Sequence, residues 1–151
     1  MKKTSAFSHL DQNGQARMVD VGQKLTQSRH AIAEAMLECG PATLKLIRQQ
    51  ALPKGDVLTV AQIAGIQAAK KTGELIPLCH SLPLDHANVR FHLRKRGIHI
   101  TAEASTSAKT GVEMEALTAA SVAALTLFDM CKAVDKTMTI TGIRVVEKTK
   151  R

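Results

Sequence analysis

The stretch Arg29-His-Ala-Ile-Ala-Glu-Ala-Met-Leu-Glu38 admits two readings, and the fold turns on which of them holds. Alanines at 31, 33 and 35 alternate with Ile32, Glu34 and Met36. Alanine is the best helix former, so propensity argues for a helix, whereas a period of two argues for a strand. The flanking chain decides what each answer would mean.

Upstream, Asp11 to Gly14 forms a turn with Asn-Gly at its centre, and Met18 to Val21 follows as a short strand, giving an N-terminal hairpin. Downstream, Pro41 after Gly40 opens a short extra helix through Gln50, with Leu44, Ile47 and Ala51 on one face. Leu52 to Asp56 is a turn cluster that places Lys54 on a loop. Thr59 and Gln62 make a capping box for a helix whose Val60, Ile63, Ala64 and Ala68 share a stripe. Lys70 and Lys71 occupy its last turn and Gly73 ends it. Alternating Ala87, Val89, Phe91 and Leu93, then Ile98, Ile100 and Ala102, flank the Arg94–Gly97 turn as a hairpin. Met138 and Ile140 alternate before Gly142, and Ile143 and Val145 after it, as in a bulged strand.

With Arg29–Glu38 as a strand, the order from residue 29 is strand, helix, strand, strand, helix, strand. That is the ferredoxin-like split βαβ, an α+β fold with an antiparallel sheet covered by helices on one face. Its other face is then available for oligomerisation. One domain of residues 1–151 is expected, loose at 1–10 and 149–151.

The second helix of that order spans the segment from Thr110 to Val134. Thr110 and Glu113 make a capping box, and Ala116 to Phe128 holds neither a charge nor a helix breaker. Those 13 residues rise about 20 Å, too short to cross a bilayer, and a helix apolar on every side is normally buried on every side. Charge returns at Asp129 and Lys132, which share a face. They form either a surface i,i+3 ion pair or part of a site.

Composition narrows the function. The formal net charge of +8 over 151 residues calls for an anionic partner. With no Trp or Tyr and three Phe, the chain can build almost no stacking platform for bases, so a phosphorylated metabolite fits better than nucleic acid. Cys39, Cys79 and Cys131 are far apart and lack C-x-x-C spacing, so they read as reduced thiols of a cytoplasmic protein. No apolar stretch follows Met1-Lys2-Lys3 as a secretory signal would, and no membrane association is expected.

Glu74 to Asp85 is apolar without any period, which is unusual for a loop and calls for a cover, such as another subunit. Within it, Cys79 and His80 are adjacent and point apart in extended chain, which disfavours a His-activated Cys nucleophile. His80 suits substrate contact or acid/base work better. A metal set drawn from Cys79, His80, Glu113 and Cys131 has no recognised spacing. Lys109-Thr110-Gly111 lacks the glycine a phosphate loop needs four residues before its Gly-Lys pair, and Glu113 and Glu115 would repel phosphate. Those carboxylates suit an amine or guanidine-like ring edge. Among the cations, Arg29, Lys54, Lys70, Lys71, Lys132 and Lys148 are available for phosphates.

I-A-G-I-Q-A-A-K-K-T (63–72), L-I-P-L-C-H (75–80) and K-T-G-V-E-M-E-A-L-T-A-A-S-V-A-A-L-T (109–126) with D-M-C-K-A-V (129–134) closely resemble the MoaC-type cyclic pyranopterin monophosphate synthases of molybdenum-cofactor biosynthesis. H-L-D-Q-N-G-Q-A-R-M-V-D-V (9–21) and L-P-K-G-D-V (52–57) extend the likeness over nearly the whole chain. The resemblance implies a ferredoxin-like hexamer, a trimer of dimers with sites at the dimer interface. It implies conversion of (8S)-3′,8-cyclo-7,8-dihydroguanosine 5′-triphosphate to cyclic pyranopterin monophosphate with release of diphosphate, and no cofactor beyond Mg²⁺ on the triphosphate. By the same likeness Lys54, Lys132 and Asp129 are catalytic. Leu78, Cys79, His80, Glu113, Met114, Arg29 and Lys148 contact substrate, and Arg29–Glu38 is a strand. Gly73-Glu74, Ser81 and Phe128 depart from the family pattern, as does the shortened tail after Lys148.

Overall fold

A computed structural model describes residues 9–11 and 13–151. Gln27–Glu38 is a strand, β1, and the alternation prevails over propensity for a packing reason. Ala31, Ala33, Ala35 and Leu37 are at most 1% exposed, all on the face beneath the helices. His30, Ile32, Glu34 and Met36 take the other face, half-buried.

Seven further elements follow: α1 (Pro41–Arg48), α2 (Val57–Lys70), α3 (Thr72–Leu75), β2 (His86–Arg94), β3 (Gly97–Ala108), α4 (Glu113–Cys131) and β4 (Thr139–Lys150). The strands form one antiparallel sheet in the order β2-β3-β1-β4, the ferredoxin-like arrangement. Helices α2 and α4 cover one face and the other stays open. There Glu34 accepts from His99 (2.9 Å) and Arg144 (2.6 Å), and Glu103 from Arg90 (2.9 Å). The register of β4 shifts twice against β1, once at the expected Gly142 and once beside Val146.

Between helices and sheet the contact is small against small. Ala116, Ala119, Ala120, Ala123 and Ala124 of α4 are at most 1% exposed, in one core with Ala31, Ala33, Ala102 and Ala104 of the sheet. Methyl-on-methyl layers let a helix sit close on a sheet, where dispersion is densest. Gly65 brings α2 equally close to α4, since a Cβ there would lie 2.9 Å from the Ala119 carbonyl oxygen.

Several local readings give way. Met18–Val21 joins no strand; the N-terminal turn is closed by an isolated Leu10–Ala16 bridge, and Gln12 lies outside the described residues. Helix α2 is capped by Asp56, not Thr59, because the Asp56 carboxylate takes both the Thr59 N–H (3.1 Å) and its hydroxyl (2.6 Å). Its core stripe is Ala61, Gly65 and Ala68, while Val60 (44%) and Ile63 (55%) face outward. Leu52, not Ala51, completes the α1 face in the core. Helix α4 extends past its uncharged segment to 19 residues, long and apolar enough in principle to cross a membrane, yet it packs against the sheet. Leu125 on it is 59% exposed, so the helix is not covered on every side. The last residues are paired rather than loose: β4 runs to Lys150 and Arg151 N–H donates to the Ser28 carbonyl.

Gly73 lies inside α3 instead of ending α2, and it is there for space. A Cβ on it would meet the Ser81 hydroxyl at 2.8 Å and the Ser81 Cα at 3.0 Å. Gly73 and Ser81 therefore touch each other. Gly73→Ala is expected to push on the backbone next to His80 and cost about 1–3 kcal/mol in urea unfolding; wild-type stability would contradict this contact.

Asp135 latches the opposite end of the fold. Its carboxylate accepts from Gly40 N–H (2.9 Å), Thr43 hydroxyl (3.0 Å), Thr137 N–H (3.0 Å) and Thr137 hydroxyl (2.8 Å). The backbone donors Gly40 and Thr137 foremost hold its pKa down to about 2, against an ordinary 3.8. A depressed carboxylate stabilises the fold fully above its unfolded value and loses that contribution as pH falls through the folded one. Wild type should therefore exceed Asp135→Asn in stability by about 1–3 kcal/mol above pH 5, with the gap closing toward pH 2. A gap independent of pH would show that the ionised latch is not what the substitution removes.

Candidate active site

Each end of α4 carries a cluster of charge. At its start the expected cap does not form: Val112 is the N-cap residue and makes no side-chain capping bond. The Glu113 carboxylate instead accepts from Lys148 Nζ at 2.7 Å. Burial would raise its pKa, but the Lys148 hydrogen bond, its own N–H and the charges of Lys148 and Arg29 hold it below the ordinary range. Glu115, two residues on, is 3% exposed. Burial pushes its pKa up, and the negative Glu113 adds to the rise.

Above these acids lies a cavity of about 430 Å³. Its apolar lining comes from Val19, Val21, Leu78, Leu82 and Met114, and its polar groups include His9, Lys24, Cys79, His80, Thr110, Glu113 and Glu115. The irregular Ile76–Asp85 segment is held in place by side-chain and backbone hydrogen bonds. Thr106 hydroxyl donates to the Pro83 carbonyl, and Asp85 N–H donates to the Ser105 carbonyl. His80 Nε2–H donates to the Val19 carbonyl at 2.8 Å, which pins the N-terminal segment over the cavity. The cover this apolar segment calls for is incomplete within one chain, as Leu75 (56%) and Leu78 (38%) remain exposed. Burial raises the Cys79 thiol, and Glu115 adds to it, the reverse of what a thiolate nucleophile needs.

At the other end, Asp129 bridges two lysines: Oδ1 takes Lys132 Nζ at 2.6 Å, and Oδ2 takes Lys54 Nζ at 3.0 Å. Lys54 also donates to the Asp129 carbonyl at 3.1 Å. The Lys132 and then the Lys54 hydrogen bonds hold the Asp129 carboxyl below its usual range. The Leu52–Asp56 turn that brings Lys54 here is ordered by the adjacent Asp56 cap. In one chain this trio is solvated, with side chains 43–56% exposed.

Thus the sequence-expected residues fall into two groups. Leu78, Cys79, His80, Glu113 and Met114 line one cavity, and Arg29 and Lys148 line an adjoining one that shares Glu113. Lys54, Asp129 and Lys132 stand apart from both. Sixteen residues of rigid helix put Asp129 about 24 Å from Glu113. Lys70 lies at the end of α2 and Lys71 just past it, and neither lines these cavities. Missed in the sequence were the wall residues Val19, Val21 and Lys24, which no periodicity marks, and Lys109, set aside for want of a phosphate-loop pattern.

The chain is similar to known proteins over nearly its whole length. The MoaC family model matches residues 18–151. A cyclic pyranopterin monophosphate synthase of Chloroflexus aggregans is 59% identical over 144 residues, covering 94% of this chain and 87% of the relative. A protein of the same name from Oleidesulfovibrio alaskensis is 54% identical over 147 residues, covering 96% and 92%. Another, from Peptoclostridium acidaminophilum, is 50% identical over 143 residues, covering 95% and 91%. On likeness over nearly the whole chain, it belongs to the MoaC family of enzymes.

Proposed function

We propose that the chain converts (8S)-3′,8-cyclo-7,8-dihydroguanosine 5′-triphosphate to cyclic pyranopterin monophosphate and diphosphate, as the product name of its relatives suggests. The observation that carries this is the Asp129 carboxylate shared by Lys54 and Lys132. One acid between two amines can hold, give and take protons during opening and hydrolysis of the purine-derived ring. Glu113, with Met114 and the Leu78–His80 segment, orients the ring edge. Arg29 and Lys148 neutralise the phosphates, so that an intramolecular attack closes the cyclic monophosphate and diphosphate leaves with its charge screened. Any Mg²⁺ would arrive on the triphosphate, and no resident cofactor is invoked.

The 24 Å between the groups supports a reading in which one site draws on two chains. We place it at a dimer interface within a hexamer. The outward Val60, Ile63 and Leu125, with Leu75 and Leu78, support a covered surface of that kind.

Incubation with the cyclised triphosphate, followed by mass analysis, should yield diphosphate and the cyclic monophosphate. In single turnover Lys132→Ala should lose about 100-fold or more; undiminished turnover with folding intact would remove Lys132 from the chemistry. Lys148→Ala should raise KM about tenfold with a smaller change in kcat, and an unchanged KM would leave Lys148 a bystander.

A further inference from the structure

Lys109-Thr110-Gly111 fails as a phosphate-loop pattern, yet its lysine sits where a polyanion would be held. It lines a second cavity of about 430 Å³ with Lys24, Arg29, His30, Lys148 and Lys150. Among the described residues, the one carboxylate in that lining is Glu113, and Lys148 neutralises it at 2.7 Å. The repulsion expected from Glu113 is therefore cancelled. Arg29 lines the same cavity, with its Nη2 donating to the Gln27 side-chain oxygen at 3.0 Å. Among the described residues, five permanent cations surround one concavity, which favours a ligand of several negative charges.

This cavity shares Lys24, Thr110, Gly111 and Glu113 with the ring cavity. Lys109 also connects the two mechanically. Its ammonium donates to the Gly22 carbonyl at 2.6 Å, and Gly22 lies between Val21 and Lys24, both walls of the ring cavity. An ammonium has three donors, so two stay free for phosphate oxygens while the third keeps Gly22.

We propose that Lys109, with Lys24 beside it, determines specificity for the polyphosphate chain, and that its bond to Gly22 passes phosphate binding on to the 19–24 wall of the ring cavity. This rests on the ring-bearing triphosphate reading of the site. Phosphate bound at Lys109 fixes the ammonium, which fixes Gly22 and closes the wall on the ring. A substrate with fewer phosphates engages fewer cations and leaves the wall looser.

The test uses inorganic tripolyphosphate on the intact chain. By calorimetry, Lys109→Met should weaken its binding about 10- to 100-fold, Lys24→Met should weaken it too, and Lys95→Met in the distant β2–β3 turn should not. Hydrogen exchange of amides 19–24 should slow when tripolyphosphate binds wild type, and should not slow in Lys109→Met. Equal binding by wild type and folded Lys109→Met, or exchange that slows equally in both, overturns the proposal. If Lys109-dependent binding and wall protection are present while the cyclised triphosphate is not turned over, the proposed reaction falls and this assignment stands. If turnover is normal and Lys109→Met changes neither readout, only this assignment falls.

Discussion

Helix α4 cannot bend its two ends toward each other, and the rest of the structure follows from that. Ala116, Ala119, Ala120, Ala123 and Ala124 bury it between the sheet and α2, and Gly65 brings α2 against its flank. Close-packed interiors of this kind do not deform continuously. The helix is consequently a ruler, with Glu113 and Asp129 as its marks about 24 Å apart. A small-residue core has little apolar area per side chain, and the gain is closeness and rigidity.

The electrostatics of the two ends differ in kind. Glu113 and Glu115 stand in the first turn, where the helix dipole favours negative charge. Their burial and a single lysine split them, one carboxyl held low by Lys148 and the other pushed up by desolvation. Neighbouring acids driven in opposite directions are what a site needs in order to accept from a ring N–H at one and share a proton at the other. Asp129 lies in the last turn, against the dipole, and only its two lysines make that position favourable. That trio is solvated in a lone chain, so its acid/base strength depends on what covers it. On our reading, a second chain does.

Much of this was legible in the residues, for identifiable reasons. Strand β1 showed itself by alternation because a sheet face must be uniformly apolar, and that constraint outweighs the helix preference of Ala31, Ala33 and Ala35. The β2–β3 hairpin and the bulge at Gly142 were equally plain, since turn chemistry is local. Caps were the weak point. Thr59 and Thr110 each had a glutamine or glutamate three residues on, but Asp56 took the first role and Val112 starts the second helix. A capping pattern says which groups could bond, and competition from Asp56 or Lys148 decides which do. The wall made by residues 19–24 left no trace in periodicity, because His80 and Lys109 hold it by its backbone carbonyls, which every residue possesses.

The central claim is that a working site joins the start of α4 in one chain to the end of α4 in another. Lys132→Ala and Glu113→Ala chains, each inactive alone, can be unfolded together, refolded in equal amounts and assayed with the cyclised triphosphate. Half of the pairs should be mixed, each with one intact site, and activity should return to about a quarter of wild type. A mixture no more active than its separate components would contradict a site shared between chains.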